Sequence, residues 1–378
     1  MKSSSKRRPK AKKPPGQTNK IYVLASALEA AHRAWTRLPR KLKLHVARQL
    51  VEEHAEELKS QFKDLIAVSY GYRATGKSRK NRTVNRTEPC VGFLVARKFK
   101  PRTASEREHR LPSLLLCYTE RRGKQVLVAV PTDVESVKVI SRPIRAQNIR
   151  IRVTGGAASN PQTDFGVLAA VVKLPQGDNL YGLSCFHVLA LTAFFGGQMP
   201  NNVTVSDDAS STDLGTLSRY VGKLDPNAAE NFDVALAQLD PAGMPALQSH
   251  VTRNCNSVLA DAHDLTDSYG NYTIYGKQNR QIQVGFSKRW RQFPIQYEGI
   301  GQVTHPWVIQ SEITDGGATV AGDSGSPVLG RQQTQFLGMH IAGDGALLTF
   351  MIGAPDLLDA TNYGSFSSGQ QLRFQTDF

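Results

Sequence analysis

The run Gly322-Asp-Ser-Gly-Ser-Pro327 decides the interpretation of this 378-residue chain. Its central serine, Ser324, is flanked within two residues by glycines, which let a backbone turn tightly and approach another group closely. The N–H groups of Gly322 and Ser324 can therefore point at one oxygen and stabilise negative charge on it, as an oxyanion hole does. Asp323 is expected to hold the shape of this loop through its carboxylate. The run predicts that Ser324 is a nucleophile for acyl transfer.

A serine nucleophile needs a base to take its proton and a carboxylate to orient that base. His187 ends the strand-like segment 181–187, and Asp233 lies in the block Asn-Phe-Asp-Val-Ala-Leu at 231–236. Alone, a histidine at a strand end is usually a core residue, and an aspartate in such a block is usually a turn residue. In the order His, Asp, Ser, which differs from the orders of subtilisin and the α/β-hydrolases, they predict a Ser-His-Asp triad.

Other aspartate and histidine residues are weaker candidates for the orienting carboxylate and the base. Asp213, in Ser-Thr-Asp-Leu-Gly at 211–215, is the main alternative to Asp233, but the apolar continuation after Asp233 favours the latter. His250, His263 and His305 are placed by the sequence in polar, turn-like surroundings, which makes them poor candidates for the base.

Residues from about 141 to 360 resemble a chymotrypsin-fold, trypsin-like serine peptidase. The resemblance is carried by the apolar-flanked His187, the Asp-Val-Ala-Leu block at Asp233, the run around Ser324 and the apolar strand 336–343 that follows it. It implies two antiparallel six-stranded β-barrels with the triad in the cleft between them, and an oxyanion hole made by Gly322 and Ser324. The wider layout, including Val-Pro-Thr-Asp-Val at 130–134, is similar to bacterial trypsin-like peptidases related to the plant NAL1-like group.

The residues expected to bind the substrate side chain differ from those of trypsin. In the resembled fold this pocket is walled by the segment before the serine and by the strand after it, here at Thr319 and His340. Ala318 occupies the position where trypsin-like specificity needs an acidic residue. Thr319 and His340 are similar to the pair that binds Glu or Gln in glutamyl endopeptidases and viral 3C-like proteases, and a histidine suits an acidic or amide ligand. The alternative is that His340 is an ordinary strand residue.

The region before the protease-like part has a different texture. Residues 1–20 are rich in Lys, Arg, Ser and Pro, which predicts a disordered basic arm. Residues 21–135 predict an α+β domain, with helices over 24–38 and 43–66 and a basic loop over 71–86. Short strands are predicted there at 91–96, 114–118 and 125–131.

The second region, 141–362, is predicted to be a mostly β protease core, followed by a C-terminal tail at 363–378. A short closing helix is expected from about Asp356. Strands are predicted at 149–153, 166–173, 181–187, 233–239, 272–275, 281–286, 307–309, 326–329, 335–341 and 347–352.

Charge divides the chain at the same place. Residues 1–150 hold 35 Lys and Arg against 12 Asp and Glu, whereas residues 151–378 hold 12 against 20. The basic residues could neutralise phosphates of nucleic acid or face an anionic membrane, but no nucleic-acid-binding signature accompanies them. Docking of the basic region on the acidic half is the favoured interpretation.

Composition also argues against a membrane-spanning, a secreted or a metal-binding protein. No apolar stretch approaches the ~20 residues that cross a bilayer, and no signal peptide is visible, so a cytoplasmic protein is expected. The cysteines are widely spread, which predicts free thiols and neither a metal site nor a cofactor; they are Cys90, Cys117, Cys185 and Cys255.

Two functions follow from the sequence. One is an intracellular endopeptidase that acts on protein or peptide substrates and is regulated by a protein partner at the N-terminal domain. The other is a protease-like binding or structural protein with a basic arm, which cleaves only in cis or is inactive.

Overall fold

The structure is a computed structural model, and helices and strands are described within residues 25–374. The described residues are 25–62, 64–75, 83–96, 111–136, 140–141, 151–154, 166–189, 204–207, 213–221, 224–228, 231–241, 257–259, 265, 272–276, 280–297, 300–315, 317–320, 322–330, 335–345, 347–363, 368 and 370–374. The predicted basic arm, His250, His263 and Cys255 lie outside them. In the part that is described, no helix is long and apolar enough to span a membrane.

Four α-helices and nineteen strands are present among the described residues. The helices are α1 (Ala25–Thr36), α2 (Arg40–Gln61), α3 (Phe186–Leu189) and α4 (Ala354–Leu358), with a 3-10 turn at Ala360–Tyr363. The strands are β1 (Leu65–Thr75), β2 (Thr83–Val95), β3 (Leu114–Arg121), β4 (Lys124–Glu135), β5 (Ile140–Ser141), β6 (Ile151–Thr154), β7 (Ala170–Lys173), β8 (Leu180–Ser184), β9 (Thr204–Asp207), β10 (Asp213–Val221), β11 (Val234–Leu239), β12 (Ser257–Val258), β13 (Tyr272–Gly276), β14 (Arg280–Tyr297), β15 (Gly301–Ile313), β16 (Pro327–Leu329), β17 (Gln335–Gly343), β18 (Leu348–Gly353) and β19 (Arg373–Phe374).

The long helix α2 packs one apolar face on the first strands, and this face has the spacing expected of an amphipathic helix. Its buried residues are Leu44, Val46, Ala47, Val51, Ala55 and Leu58. The prediction that the helix reaches Ile66 is wrong, because Phe62 has an extended backbone and the helix ends at Gln61. The apolar residues that follow belong to strand β1, and a short apolar run does not distinguish a helix end from a strand.

The N-terminal strands belong to the same sheet as the C-terminal strands. Strand β1 pairs with β2 and also, antiparallel, with β14, in a register from Val68↔Arg291 to Gly71↔Lys288. Gly71 permits this approach, because a Cβ there would lie 2.3 Å from the carbonyl oxygen of Ser287. The predicted loop 71–86 is wrong at both ends, where β1 and β2 extend into it.

Six of these strands close on themselves. Around the cycle, β13 pairs with β16, then β17, β18, β15 and β14 follow, and β14 pairs again with β13. All six pairings are antiparallel. The 18-residue strand β14 lets the cycle share its edge with the N-terminal strands. The sequence predicted only 281–286 of it, since polar residues such as Lys288 and Arg289 interrupt the apolar pattern although both are buried.

The remaining strands form a second sheet in the order β19-β7-β8-β11-β10-β9-β6. Within the described residues its two end strands, β6 and β19, are not paired with each other. The expectation of a second closed barrel therefore stays a prediction. The two sheets share one apolar core, which includes Leu183 and Leu236 from the second sheet and Trp290 and Phe350 from the first.

A buried ion cluster ties β4 to β14. The Lys288 side chain is fully buried, and its Nζ lies 2.7 Å from Asp133 Oδ2 and also contacts Glu135. Burial alone would lower the pKa of Lys288, but the charges of Glu135, Cys90 and Asp133 raise it above its usual range. Asp133 comes from the Val-Pro-Thr-Asp-Val segment noted in the sequence, so this segment anchors the N-terminal strands to the cycle of six.

Removing this buried cation should destabilise the fold. Lys288→Met leaves two carboxylates without their buried partner, and we expect the free energy of unfolding to fall by ~3–5 kcal/mol. Urea unfolding followed by tryptophan fluorescence measures the change. Lys124→Met, at an exposed lysine of β4, is the matched control and should change little. Equal stability of the two variants would show that the cluster does not anchor the sheet.

Candidate active site

His187 and Asp233 both lie at the ends of neighbouring strands of the second sheet, just outside the strands themselves. The prediction that a strand runs to His187 is wrong: β8 ends at Ser184, and His187 lies on the one-turn helix α3. The N–H groups of Val188 and Leu189 donate to the Cys185 carbonyl at 3.1 and 3.0 Å, which closes this turn. Asp233 immediately precedes β11, the neighbour of β8. The turn after β8 thus brings His187 over the start of the adjacent strand.

The Asp233 carboxylate holds His187 by two bonds. The backbone N–H of His187 donates to Asp233 Oδ1 at 3.0 Å, and His187 Nδ1 lies 2.5 Å from Asp233 Oδ2. Both side chains are buried. Burial alone would raise the pKa of Asp233. The charge and the hydrogen bonds of His187 lower it by more than this, so the pKa of Asp233 is below its ordinary value. Asp233 is therefore a residue that contacts His187 through both its backbone and its ring.

The loop around Ser324 has the glycine geometry that its sequence indicates. Gly322 and Gly325 have φ of +88° and +87°, in the left-handed region that favours glycine. A Cβ on Gly325 would lie 2.1 Å from the Val167 carbonyl oxygen, so a side chain has no space there. Ser324 itself is partly exposed.

Asp323 holds this loop from inside. Its carboxylate is buried, accepts the Val320 N–H at 2.7 Å and forms an ion pair with Arg280 at the start of β14. The close approach of Gly276 completes its surroundings, since a Cβ there would lie 2.5 Å from Asp323 Oδ1. The loop-holding carboxylate expected from the sequence thus has the partly exposed Arg280 as its partner.

The Ser324 loop lies beside the segment that leads to His187. The His340 carbonyl accepts both the Gly325 N–H at 2.9 Å and the Cys185 thiol at 3.5 Å. The Val167 N–H donates to the Ser324 carbonyl at 3.2 Å. Residues flanking the two predicted catalytic groups therefore share one acceptor on β17.

The hydrogen bond between Ser324 and His187 is not formed in this structure. Ser324 Oγ lies 3.4 Å from the Ile341 carbonyl, and His187 Nε2 is buried with no hydrogen-bond partner in the part of the chain that is described. Catalytic hydrogen bonds are often long or misaligned before substrate binds. The structure thus joins His187 to Asp233 and leaves the serine in the neighbouring loop.

Two buried residues behind Asp233 were missed by the sequence analysis. The Tyr297 hydroxyl donates to Asp233 Oδ2 at 2.9 Å and lies 2.9 Å from His305 Nε2. The expectation of a turn-like, polar site for His305 is wrong, because it lies on β15 and is 1 % exposed. Neither residue belongs to a motif that would have marked it.

His340 lies on β17, the strand that receives the loop contacts, and Thr319 precedes the Ser324 loop. His340 is buried on β17, and its Nδ1 is 2.7 Å from Thr349 Oγ1. Burial lowers the pKa of His340 to about 4, so the ring is neutral at pH 7. Thr319 packs against the end of β17, where a Cβ on Gly343 would lie 2.3 Å from Thr319 Oγ1. Ala318 is half-buried beside it.

Three of these groups are close enough to be considered as metal ligands. The ligand atoms of Cys185, His187 and Asp233 lie within 4.8 Å of one another. However, His187 Nδ1 and Asp233 Oδ2 are already bonded to each other. Burial raises the pKa of the Cys185 thiol, which disfavours the thiolate that a metal requires. The set fits a hydrogen-bonded His–Asp pair better than a metal centre.

Comparisons with known proteins give weak likenesses. No protein-family model matches the chain, and no curated protein matches it. Among solved structures, the HRV-C 3C protein with rupintrivir aligns at a TM-score of 0.29 and 10% identity, over 54% of this chain and 91% of that one. The catalytically active tobacco etch virus protease complexed with product aligns at 0.24 and 9% identity, over 61% and 89%. These TM-scores are low, so the description of the fold rests on the strand pairings themselves.

The two buried neutral histidines predict a pH dependence of stability. Burial lowers the pKa of His305 and of His340 from 6.5 to about 4. Between these values the unfolded state binds protons that the folded state does not, so stability falls as pH falls through this window. The slope is about 1.4 kcal/mol per pH unit for each histidine. Urea titrations across the window measure it.

His340→Gln should remove about half of this slope. His45→Gln, at an exposed position on α2, is the control and should leave the slope unchanged. A slope that is the same in His340→Gln as in the wild type would contradict the neutral, buried state of His340.

Proposed function

We propose that this chain is a serine endopeptidase of the chymotrypsin-like type, with Ser324 as nucleophile, His187 as general base and Asp233 as the group that orients the base. The contact between His187 and Asp233 supports this most strongly. Because Nδ1 is committed to the carboxylate, Nε2 carries the free lone pair and can accept a proton. A histidine held in this tautomer beside a glycine-flanked serine suits acyl transfer.

The reaction follows from these positions. On substrate binding, Ser324 Oγ leaves the Ile341 carbonyl, gives its proton to His187 Nε2 and attacks the peptide carbonyl carbon. The N–H groups of Gly322 and Ser324 stabilise the oxyanion, and His187 then protonates the leaving amine. Water hydrolyses the acyl-enzyme by the same route.

Ser324 is a better nucleophile candidate than the nearby Cys185. Cys185 is fully buried, its thiol donates to the His340 carbonyl, and its pKa is raised by burial and by Asp233. A neutral, enclosed thiol is unreactive. Ser324 is partly exposed and lies on the loop.

We further propose that Thr319 and His340 bind a Glu or Gln side chain of the substrate. His340 Nδ1 lies 2.7 Å from Thr349 Oγ1, and the ring also bonds to the Phe350 backbone, so these contacts hold a neutral polar ring that suits a Glu or Gln side chain. No acidic residue stands at Ala318 to attract Lys or Arg. The observation that supports this is the neutral, buried ring of His340 on the strand that receives the Ser324 loop.

The remaining expectations belong to the same proposal. The free thiols of Cys90, Cys117 and Cys185 suit a cytoplasmic, reducing environment. A protein partner at residues 21–135 could regulate the enzyme, since β1 pairs directly with β14, whose first residue Arg280 holds Asp323. The alternative, an inactive or cis-acting structural protein, predicts a serine that does not react in trans.

A fluorophosphonate probe separates the two functions. Wild-type protein should be labelled, whereas Ser324→Ala and His187→Ala should not, because each removes a group that the reaction requires. Asp233→Asn should reduce the labelling rate by about 10⁴-fold. Ser60→Ala, on the exposed face of α2, is the control. Absence of labelling in folded wild type would favour the structural protein.

Substrate preference is tested by digestion of a peptide library. Wild type should cleave after Glu or Gln, and His340→Ala should lose this preference, with a fall in kcat/KM of about 10- to 100-fold on such substrates. His45→Ala, distant in sequence and exposed, controls for the substitution itself. The same cleavage pattern in His340→Ala would remove His340 from the binding site.

A further inference from the structure

A chain of hydrogen bonds continues behind the His187–Asp233 pair into the first sheet. Tyr297 ends β14, and His305 lies on the neighbouring strand β15, opposite Phe293 in the register. Their side chains are buried, at 0 % and 1 % exposure. Asp233 Oδ2 is thus shared by His187 Nδ1 at 2.5 Å and the Tyr297 hydroxyl at 2.9 Å.

The direction of the protons can be worked out from donor and acceptor counts. Tyr297 has one hydroxyl proton, and the buried carboxylate is a stronger acceptor than an imidazole nitrogen, so this proton lies toward Asp233. His305 Nε2 must then be the donor to the tyrosine oxygen, 2.9 Å away. Burial keeps the His305 ring neutral at pH 7, because its pKa is lowered to about 4. The order is His305 to Tyr297 to Asp233.

We propose that Tyr297 and His305 are positioning residues for the triad, which fix Asp233 as an anion aimed at His187 and couple the His187–Asp233 pair to the first sheet. This rests on the proposed function of the triad. Three donors, the His187 N–H, the His187 ring and the Tyr297 hydroxyl, then satisfy a carboxylate that is 0 % exposed.

Two other side chains near Asp233, those of Cys185 and His305, do not donate a hydrogen bond to its carboxylate. Cys185 approaches from the end of β8, but its thiol is neutral and donates elsewhere. His305 is neutral at pH 7 and acts on Asp233 through its contact with the Tyr297 hydroxyl. With the tyrosine hydroxyl removed, one lone pair of Oδ2 loses its partner and the carboxylate gains freedom to rotate. A hydrogen bond to a charged group is the strong kind, so the loss should be visible in catalysis.

The test compares Tyr297→Phe with wild type in peptide cleavage. Removing only the hydroxyl should lower kcat by about 10- to 100-fold and leave KM nearly unchanged. The acid limb of the kcat/KM profile should move to higher pH, because the charge of Asp233 is then shared with His187 alone. Tyr363→Phe, whose buried hydroxyl donates to the Leu357 carbonyl, is the matched control and should leave kcat and the pH profile unaltered.

His305 supplies a second, independent pair of variants. His305→Gln can keep an N–H donor toward Tyr297 and should retain most of the activity, whereas His305→Leu cannot and should resemble Tyr297→Phe. A merely structural role would lower stability in both without moving the pH profile. Equal activity and an unchanged profile in Tyr297→Phe and His305→Leu would overturn the proposal while leaving the triad intact.

The contact of Tyr297 with Asp233 can also be tested without enzyme activity. If wild type proves inactive toward the probe and peptides, the proton NMR signal of His187 Nδ1–H still reports on Asp233. Tyr297→Phe should shift this signal, and Tyr363→Phe should not. An unshifted signal in a folded Tyr297→Phe variant would overturn the inference, whatever the activity.

Discussion

A carboxylate that is completely buried where two sheets meet constrains the whole site. Asp233 is 0 % exposed, so every lone pair that it directs inward needs a donor from the protein. The one-turn helix carrying His187 supplies two of these donors, and Tyr297 supplies another from the opposite sheet. Meeting this requirement orients the imidazole, and the free Nε2 is a consequence of it. The chemistry proposed for the chain therefore begins with the satisfaction of one buried charge.

Two other buried charges in the first sheet are likewise paired with groups of the protein. Asp323 is buried under the Ser324 loop and is paired with Arg280, while Lys288 is buried between two carboxylates of β4. Both cations lie on β14, the strand that is shared by the cycle of six and the N-terminal strands. One strand thus carries a partner for the Ser324 loop, the anchor of the N-terminal region and, at its end, the tyrosine behind the His187–Asp233 pair. This explains why a long polar stretch is kept inside a sheet.

The sequence predicts the loop around Ser324 because its glycines lie close together in the chain. It predicts the pairing of His187 with Asp233 because each lies in a short recognisable block and the blocks occur in the order His, Asp, Ser. It does not predict Tyr297 and His305, since their roles depend on the pairing of β14 with β15 and on contact between sheets. It also misses most of β14, because buried ion pairs make a strand look like a polar loop. The sequence also does not predict the helical turn at His187, because apolar residues continue from β8 into α3 without a break and look like one strand. Long-range contacts, and not local preferences, decide each of these features.

In the proposed reaction Ser324, His187 and Asp233 act together, and the serine hydroxyl moves from the Ile341 carbonyl to the histidine. A crystal structure of the protein after reaction with a peptidyl phosphonate tests this most directly. We expect phosphorus bonded to Ser324 Oγ, a phosphonyl oxygen bound by the N–H groups of Gly322 and Ser324, and His187 Nε2 within hydrogen-bond distance of the adduct. An adduct on another residue, or a His187 ring that no longer contacts Asp233, would contradict it.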